Sequence, residues 1–504
     1  MKTIHLPLFF LLLCCLGAQA QGVDDALLFS QTYYEGSGRS MAMGNATGAM
    51  GGDVTAACIN PAGLGVYRSQ ELTFTTGLQY TFIGSNYFDN REYDGKGRVS
   101  IPNFGYVITM ENSNYKPLRY LQFGISLTRT NDFNLNSSAA GLNPDNSMVD
   151  AYLQTINGID ELHNPGTYPG QYLADNYPYD LDLAWQTYLI NQYQDSLGYY
   201  YYDSPVPPGN VYQADRLRSK GRSEEWTFAL GSNIKDKLYL GSSVGLAHIK
   251  RNSTRTYSET PGDPSASSNQ FTSWNHIEDL GISAMGVNLK LGFIYHPVSW
   301  FRFGAAWHSR TLYTIEDDWV TETNTALRNE PNAGSHRYIS PSLYQNYDFW
   351  APRTFVGNLA FFVGKRGLIT ADVEYKDYGT AQFFSEVFSY NDTNDDIRGL
   401  LAPTCNFRVG TEWRVHQFFL RCGAAYYGSP YGLGYDYGSV KKLSAGIGYA
   451  TSDISHWDFA YEVTEATSGY TPYQLYVDGV NVVPDIVQHK WRSKLVATLK
   501  IKIQ

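Results

Sequence analysis

Ser243 is the side chain best placed to suggest covalent chemistry, because Gly241-Ser242-Ser243-Val244-Gly245 has the G-x-S-x-G spacing of a nucleophile elbow. That elbow requires a sharp strand-to-helix turn. Here the run lies inside an alternating stretch, between Leu238-Tyr239-Leu240 and Leu246, with no helical pattern after it. His248, the nearest candidate base, is five residues on and so falls on the opposite face of the same strand. The run therefore reads as a small-residue strand segment, and no enzyme is expected. The ten histidines and five cysteines show no metal-ligand spacing, so no metal and no cofactor is expected either. Charge is placed more regularly: Asp372, Glu374, Arg408, Glu412, Arg421, Asp458 and Glu462 each fall on the polar face of an alternating segment. Opposed charges on such faces tie neighbouring strands together. They are also suited to holding Arg39, which lies far away in the sequence.

Those faces belong to strands. At the C-terminal end Trp491, Leu495, Ala497, Leu499, Ile501 and Ile503 alternate with Arg492, Lys494, Thr498, Lys500 and Lys502. The same period of two runs through 72–82, 121–127, 226–234, 287–295, 301–307, 355–363, 407–415, 420–426, 443–449 and 459–463. It is weaker in 99–109, 238–249 and 368–378. This makes about fourteen strands, many near the roughly 9–11 residues a tilted strand needs to cross a bilayer. The joins alternate in length. Short ones fall at 112–116, 235–237, 297–299, 365–367, 416–417 and 452–455. Long ones run through 84–97, 131–221, 252–278, 314–349, 380–401, 428–438 and 466–488.

An all-β transmembrane antiparallel β-barrel with turns at one end and long extracellular loops at the other has this pattern; a secreted sandwich or propeller has no need of it. The final strand is expected to close on 72–82, with Lys494, Lys500 and Lys502 lumenal. Within the 131–221 loop, Leu181, Trp185, Tyr188 and Leu189 behind an Asp180 cap predict a surface helix.

Composition agrees. Aromatics make up 15% of the 504 residues, with 41 Tyr and 47 Gly and only 17% charged residues, as interfacial rings and tight strand packing require. A mean hydropathy of −0.33 is too polar for a bundle of membrane-spanning helices. A net charge of −10, with no basic tract, argues against nucleic acid. Met1-Lys2, the apolar run Leu6–Leu16 and Ala18-Gln19-Ala20 mark residues 1–20 as a secretory signal peptide. Its removal would leave Cys58, Cys405 and Cys422, the last two expected as free thiols on apolar strand faces.

Residues 21–70 do not alternate. They are rich in Gly and Ala around Met41, Met43, Leu64, Val66 and Tyr67, and so are suited to tight burial. A barrel of about fourteen strands leaves a lumen wider than its own side chains fill, and this segment is expected to sit there as a plug, with 71–504 forming the barrel.

The plug carries a resemblance. Glu35-Gly36-Ser37-Gly38-Arg39-Ser40-Met41-Ala42-Met43-Gly44-Asn45-Ala46-Thr47-Gly48-Ala49, then Gly52-Asp53 and Asn60-Pro61-Ala62-Gly63-Leu64, resembles the N-terminal hatch of FadL/TodX-type outer-membrane transporters of long-chain fatty acids and other hydrophobic compounds. The block 25–68 looks most like the version found in Bacteroidetes. Gly364-Lys365-Arg366-Gly367-Leu368 leading to Asp372-Val373-Glu374-Tyr375, Asn406-Phe407-Arg408-Val409-Gly410 and Ser429-Pro430-Tyr431 are further echoes.

The resemblance implies passive, plug-gated passage of a hydrophobic small molecule across the outer membrane of a Gram-negative bacterium, with exit through an opening in the wall. It makes Arg39, Met43, Gly44, Asp53, Asn60, Pro61, Ala62 and Gly63 the plug residues of interest. Outer-membrane lipid and the barrel insertion machinery would be partners, and a monomer is expected. The chain departs from the pattern at Asn45 and Thr47, where Gly and an aromatic are expected, and at Gln504, where a terminal aromatic is usual. A general porin and a non-transporting surface adhesin or structural barrel are the alternative readings.

Overall fold

The computed structural model describes residues 22–503 apart from 112–116, 165, 267–269, 329–330, 433 and 435–436. The expected signal peptide, the join at 112–116 and Gln504 lie outside the described residues. Fourteen antiparallel strands close into a barrel. They are β1 (Gln70–Tyr87), β2 (Asn90–Glu111), β3 (Leu118–Asp132, resumed at Leu135–Asn143), β4 (Val211–Ile234), β5 (Leu238–Pro261), β6 (Phe271–Val298), β7 (Phe301–His308, resumed at Leu312–Leu327), β8 (Leu343–Trp350, resumed at Thr354–Val363), β9 (Gly367–Asp377), β10 (Pro403–Val415), β11 (Phe418–Tyr427), β12 (Val440–Ala450), β13 (Ser455–Tyr470) and β14 (Ile486–Ile503). Each pairs with its sequence neighbour, and β14 returns to β1 with Leu72 opposite Ile501 and Phe82 opposite Trp491.

The side chains divide as a membrane demands. Leu78, Phe228, Leu230, Phe293, Phe355, Phe407, Leu443 and Leu495 are exposed on the outside, whereas Thr73, Gln122, Thr227, Asp372, Arg408, Lys494 and Thr498 are buried inside. A water-soluble fold would reverse this.

Several strands run well past the alternating stretches. The expected long join at 84–97 is a tight hairpin in which Tyr87 pairs with Asn90. The join at 252–278 is strand up to Pro261 and again from Phe271, and much of 314–349 is strand. The expected 131–221 loop narrows to 144–210, because β3 resumes at Leu135 and β4 begins at Val211. The cause is physical: beyond the apolar band the outer face is also polar, so alternation fades while the backbone ladder continues.

The N-terminal segment lies inside the barrel as α1 (Val23–Ser30), α2 (Gly38–Ala42), α3 (Ala56–Ile59) and a 3-10 turn at Pro61–Val66. Met41, Met43, Ala46, Ala62 and Leu64 are fully buried there. The wall makes room with small residues: a Cβ on Gly423 would lie 2.2 Å from the Gly44 nitrogen, and one on Gly241 would lie 2.2 Å from the Pro61 carbonyl carbon. The G-x-S-x-G run is thus wall shaped to fit the segment, and the Ser243 hydroxyl donates to the Ala57 carbonyl at 3.2 Å.

Outside the lumen the 144–210 excursion forms α4 (Met148–Ile156), α5 (Pro169–Asn176) and α6 (Leu181–Gln186). Asp180 caps α6, accepting from the Leu181 N–H at 2.6 Å. This helix is shorter than the spacing predicts. Tyr188 has φ of 57°, a left-handed turn that ends the helical path, although Leu189 still packs with Leu181, Ala184 and Val149.

Candidate functional site

On one side of the lumen a chain of alternating charges leaves the segment, crosses the wall and returns. Arg39 donates to both Glu412 oxygens at 2.8 Å. Arg421 donates to Glu412 at 2.6 Å and to Asp458 at 2.6 Å. Asp458 faces Lys500 at 3.4 Å, and Lys500 donates to Asp53 at 2.8 Å. Asp53 accepts from Ser37 at 2.6 Å and from the Thr55 N–H at 3.0 Å. Strand pairing sets the order: Glu412 lies opposite Arg421, and these strands plus β13 and β14 present their polar faces to the same quadrant.

A second set holds the other end of the segment. The Gly48 N–H donates to Asp372 at 3.2 Å, Asn358 donates to Asp372 at 2.8 Å, and Asn60 donates to Asn358 at 3.0 Å. Asn60 also accepts from the Ala62 N–H at 3.2 Å, which starts the turn at Pro61. Met43 packs on Leu368, Ala62 on Tyr239 and Ile294, and the Gly44 N–H reaches Ser444 at 3.2 Å. Gly63 packs so closely that a Cβ there would lie 2.7 Å from the Ala56 methyl carbon.

Of the lumenal charges picked from sequence, Glu412 and Asp372 bond the segment directly. Arg421 and Asp458 bond it one step removed. Glu374 and Arg408 pair with each other at 2.9 Å and Glu462 pairs with Lys442 at 3.4 Å, with no side-chain hydrogen bond to the segment among the described residues. Asn45 is suited to its place: it has φ of 59°, which Asn tolerates, and its amide donates to the Tyr34 carbonyl at 2.9 Å.

The opposite side of the lumen differs. Along β2 the ladder to β3 runs only from Glu111 opposite Tyr120 to Asn103 opposite Thr128. Above that point β2 pairs with β1 alone and β3 with β4 alone. The β3 backbone has a register shift between Arg129 and Asn131, a bulge that turns the strand. From inside, the Tyr33 N–H donates to the Thr130 carbonyl at 2.7 Å and the Glu35 N–H to the Arg129 carbonyl at 2.8 Å.

Side chains cross where the ladder is missing. Arg98 meets Asp132 at 2.7 Å, Ser138 donates to Asp94 at 2.5 Å, Asn90 donates to the Ala140 carbonyl at 2.9 Å, and Lys96 donates to the Ser219 carbonyl at 2.7 Å. Sequence reasoning missed this seam and its residues; the Asn131-Asp132 pair, poor strand formers in mid-strand, was the available signal.

Beside the β3 bulge lies a groove of about 320 Å³ between α1 and the wall, lined by Leu27, Leu28, Phe133, Leu135, Tyr437 and Val440 with Arg251 and Lys490. It shares Tyr33, Asn131 and Lys490 with a deeper pocket of about 70 Å³, where Lys442, Arg492 and Lys494 face Glu35 and Glu462. Lys494 is paired with Glu35 and Arg492 donates to the Asp132 carbonyl at 3.1 Å, while Lys490 makes no side-chain hydrogen bond or ion pair among the described residues. In α1, burial pushes the Asp25 carboxyl up to about 7, against the hydrogen bond from Gly22.

No family model matches the chain, and no curated protein matches it. Solved structures do. A FadL homologue of Pseudomonas aeruginosa is 12% identical, aligns over 94% of this chain and 100% of its own, and superposes with a TM-score of 0.54. The chain has the FadL-type fold. The toluene transporter TodX of Pseudomonas putida is similar too, at 14% identity over 94% of this chain and 98% of its own, with a TM-score of 0.50.

Proposed function

We propose that this FadL-type barrel passes a hydrophobic small molecule through the outer membrane of a Gram-negative bacterium by passive diffusion, with the N-terminal segment as gate. The ligand is captured at the loop end in the groove beside α1, moves past Tyr33 and leaves through the β2–β3 seam into the membrane. One observation supports this reading above the others: the apolar groove and the basic pocket are contiguous and reach the bulged β3 residues Asn131 and Asp132, the latter bridged across the seam by Arg98. No bond is made or broken.

The pocket favours an apolar ligand with a carboxylate head. Four basic side chains, Lys442, Lys490, Arg492 and Lys494, face two carboxylates there, and Lys490, with no side-chain partner among the described residues, is placed to give an entering carboxylate a charge-assisted hydrogen bond. Each buried methylene adds about 0.8 kcal/mol, which makes a long-chain fatty acid a better fit than a short one. Neutral aromatic compounds, such as the toluene that TodX carries, would use the groove alone.

Lipid extraction and mass spectrometry of the purified full chain test the proposal, alongside Ala62→Trp and Gly63→Trp, which crowd the turn at Pro61. The expected result is a retained fatty acid in the wild type and its loss or displacement in the variants. A large steady ion conductance of the wild type in planar bilayers would instead establish a general porin.

A further inference from the structure

The outer face of β4 changes character abruptly beyond its membrane-facing stretch. Leu230, Phe228 and Trp226 are exposed on that face, and the same face then presents Arg222, Lys220, Arg218 and Arg216, all exposed. On β5 the sequence of events repeats, with Val244 and Leu246 followed by Lys250, which lies directly opposite Arg222. Arg222 pairs with Glu224 at 2.8 Å. Arg216, Arg218, Lys220 and Lys250 make no side-chain hydrogen bond or ion pair among the described residues. Like charges at alternate positions on one strand face, with another directly across the ladder, repel one another. An external anion relieves that repulsion.

The patch also has a shape. Arg218 and Lys220 form one bank of an outward-facing hollow of about 430 Å³, with Asn252 and Thr254 on its floor. Asp279 and Asp318 form the other bank, where the Thr254 and Ser342 hydroxyls donate to them. One bank suits phosphates. The other has carboxylates that accept from hydroxyl groups such as those of a sugar.

We propose that this surface holds a phosphorylated glycolipid of the outer leaflet, its acyl chains lying on Trp226, Phe228 and Leu246 and its phosphates against Lys250, Lys220 and Arg218. Height decides for a lipid over a soluble anion: the cations begin within about four residues of Trp226, on the order of 13 Å along the strand, where the headgroups of a bilayer lie. The proposal uses the membrane placement argued above and is independent of the groove and its ligand.

The test uses the full chain in detergent, titrated with the diphosphorylated lipid anchor of lipopolysaccharide and with the same anchor enzymatically stripped of both phosphates, followed by native mass spectrometry. Arg218→Gln/Lys220→Gln/Lys250→Gln is compared with wild type, and Lys250→Gln alone serves if the triple variant folds poorly. Expected are retention of the phosphorylated form by wild type, at least ten-fold weaker binding by the triple variant, three-fold or more by the single one, and weakening with added salt. Fatty-acid retention in the groove should be unchanged, which separates failure here from failure of the transport reading. Equal binding of the two anchors, equal binding by wild type and variants, or displacement by millimolar inorganic phosphate would overturn the proposal.

Discussion

The two sides of the lumen are built in opposite ways. Toward β10–β14 the N-terminal segment is fastened by a continuous run of buried ion pairs, from Arg39 through Glu412, Arg421, Asp458 and Lys500 to Asp53, and the wall behind it has an unbroken ladder. Toward β2–β3 the segment makes two backbone hydrogen bonds to a bulged strand, and the wall above is held by side chains. Removing one member of a buried charge network leaves its partners uncompensated, at a cost of about 3–5 kcal/mol, whereas the seam has one buried ion pair, Arg98–Asp132, and separate side-chain hydrogen bonds of about 0.5–1.5 kcal/mol each in place of a backbone ladder. In the proposed mechanism motion is confined to the seam, and the fastened side keeps the segment from leaving as the seam opens.

The largest effect is expected from Glu412→Ala, which strips Arg39 and Arg421 of their shared partner. Hydrogen exchange should show residues 37–63 losing protection by two orders of magnitude or more, with the barrel strands unaffected; unchanged protection would mean the ion pairs do not fasten the segment. Gly423→Leu attacks the same side sterically, since even its Cβ would overlap the Gly44 backbone. It should displace the segment enough to give measurable ion conductance in planar bilayers, where wild type gives little.

Effects at the seam side should be smaller and selective. Lys490→Gln with Arg492→Gln should weaken retention of a long-chain carboxylate by roughly ten-fold, the equivalent of one lost charge-assisted hydrogen bond, and leave a neutral hydrocarbon of similar length unaffected in a calorimetric titration. Equal losses for both ligands would remove the head-group role of the pocket.

The smallest effect concerns α1. Asp25 has a pKa of about 7 in the fold, above its ordinary 3.8, because burial disfavours the carboxylate. A raised carboxyl means the folded form holds its proton more tightly, so docking of α1 is strongest below about pH 4 and weakens as pH rises to about 7. After correction for intrinsic rates, exchange protection of Val23–Ser30 should be lower at pH 8 than at pH 5, and Asp25→Asn should flatten the difference.

Much of the fold was legible because a membrane wall imposes a period of two that local sequence records. Closure of the last strand on 72–82 could be read from the two greasy faces, and Glu412, Arg421 and Asp458 as lumenal from the polar ones, while the register that sets Leu72 opposite Ile501 could not. The partner of Arg39 was not legible, since seven lumenal charges shared the same pattern and only strand order and tilt select among them. The seam was harder still. Residues 90–98 are polar on both faces and 135–143 mix small, polar and apolar residues on both, so they carry no alternation, and whether a strand has a neighbour is a non-local property. Arg492 reaches Asp132 across 360 positions of sequence, a distance no local spacing reports. The block 35–64, by contrast, stood out because a segment packed against glycines on the wall tolerates few residue types.

Locking the seam tests the central claim most directly. Asp94 and Ser138 are within hydrogen-bond reach across the unladdered stretch, so Asp94→Cys with Ser138→Cys, in a chain lacking Cys405 and Cys422, should form a disulfide on oxidation. Uptake of a radiolabelled long-chain fatty acid into proteoliposomes should then stop and return on reduction, while ligand retention in detergent stays near wild type. Unimpaired uptake through the oxidised, fully cross-linked barrel would show that the ligand leaves by another route.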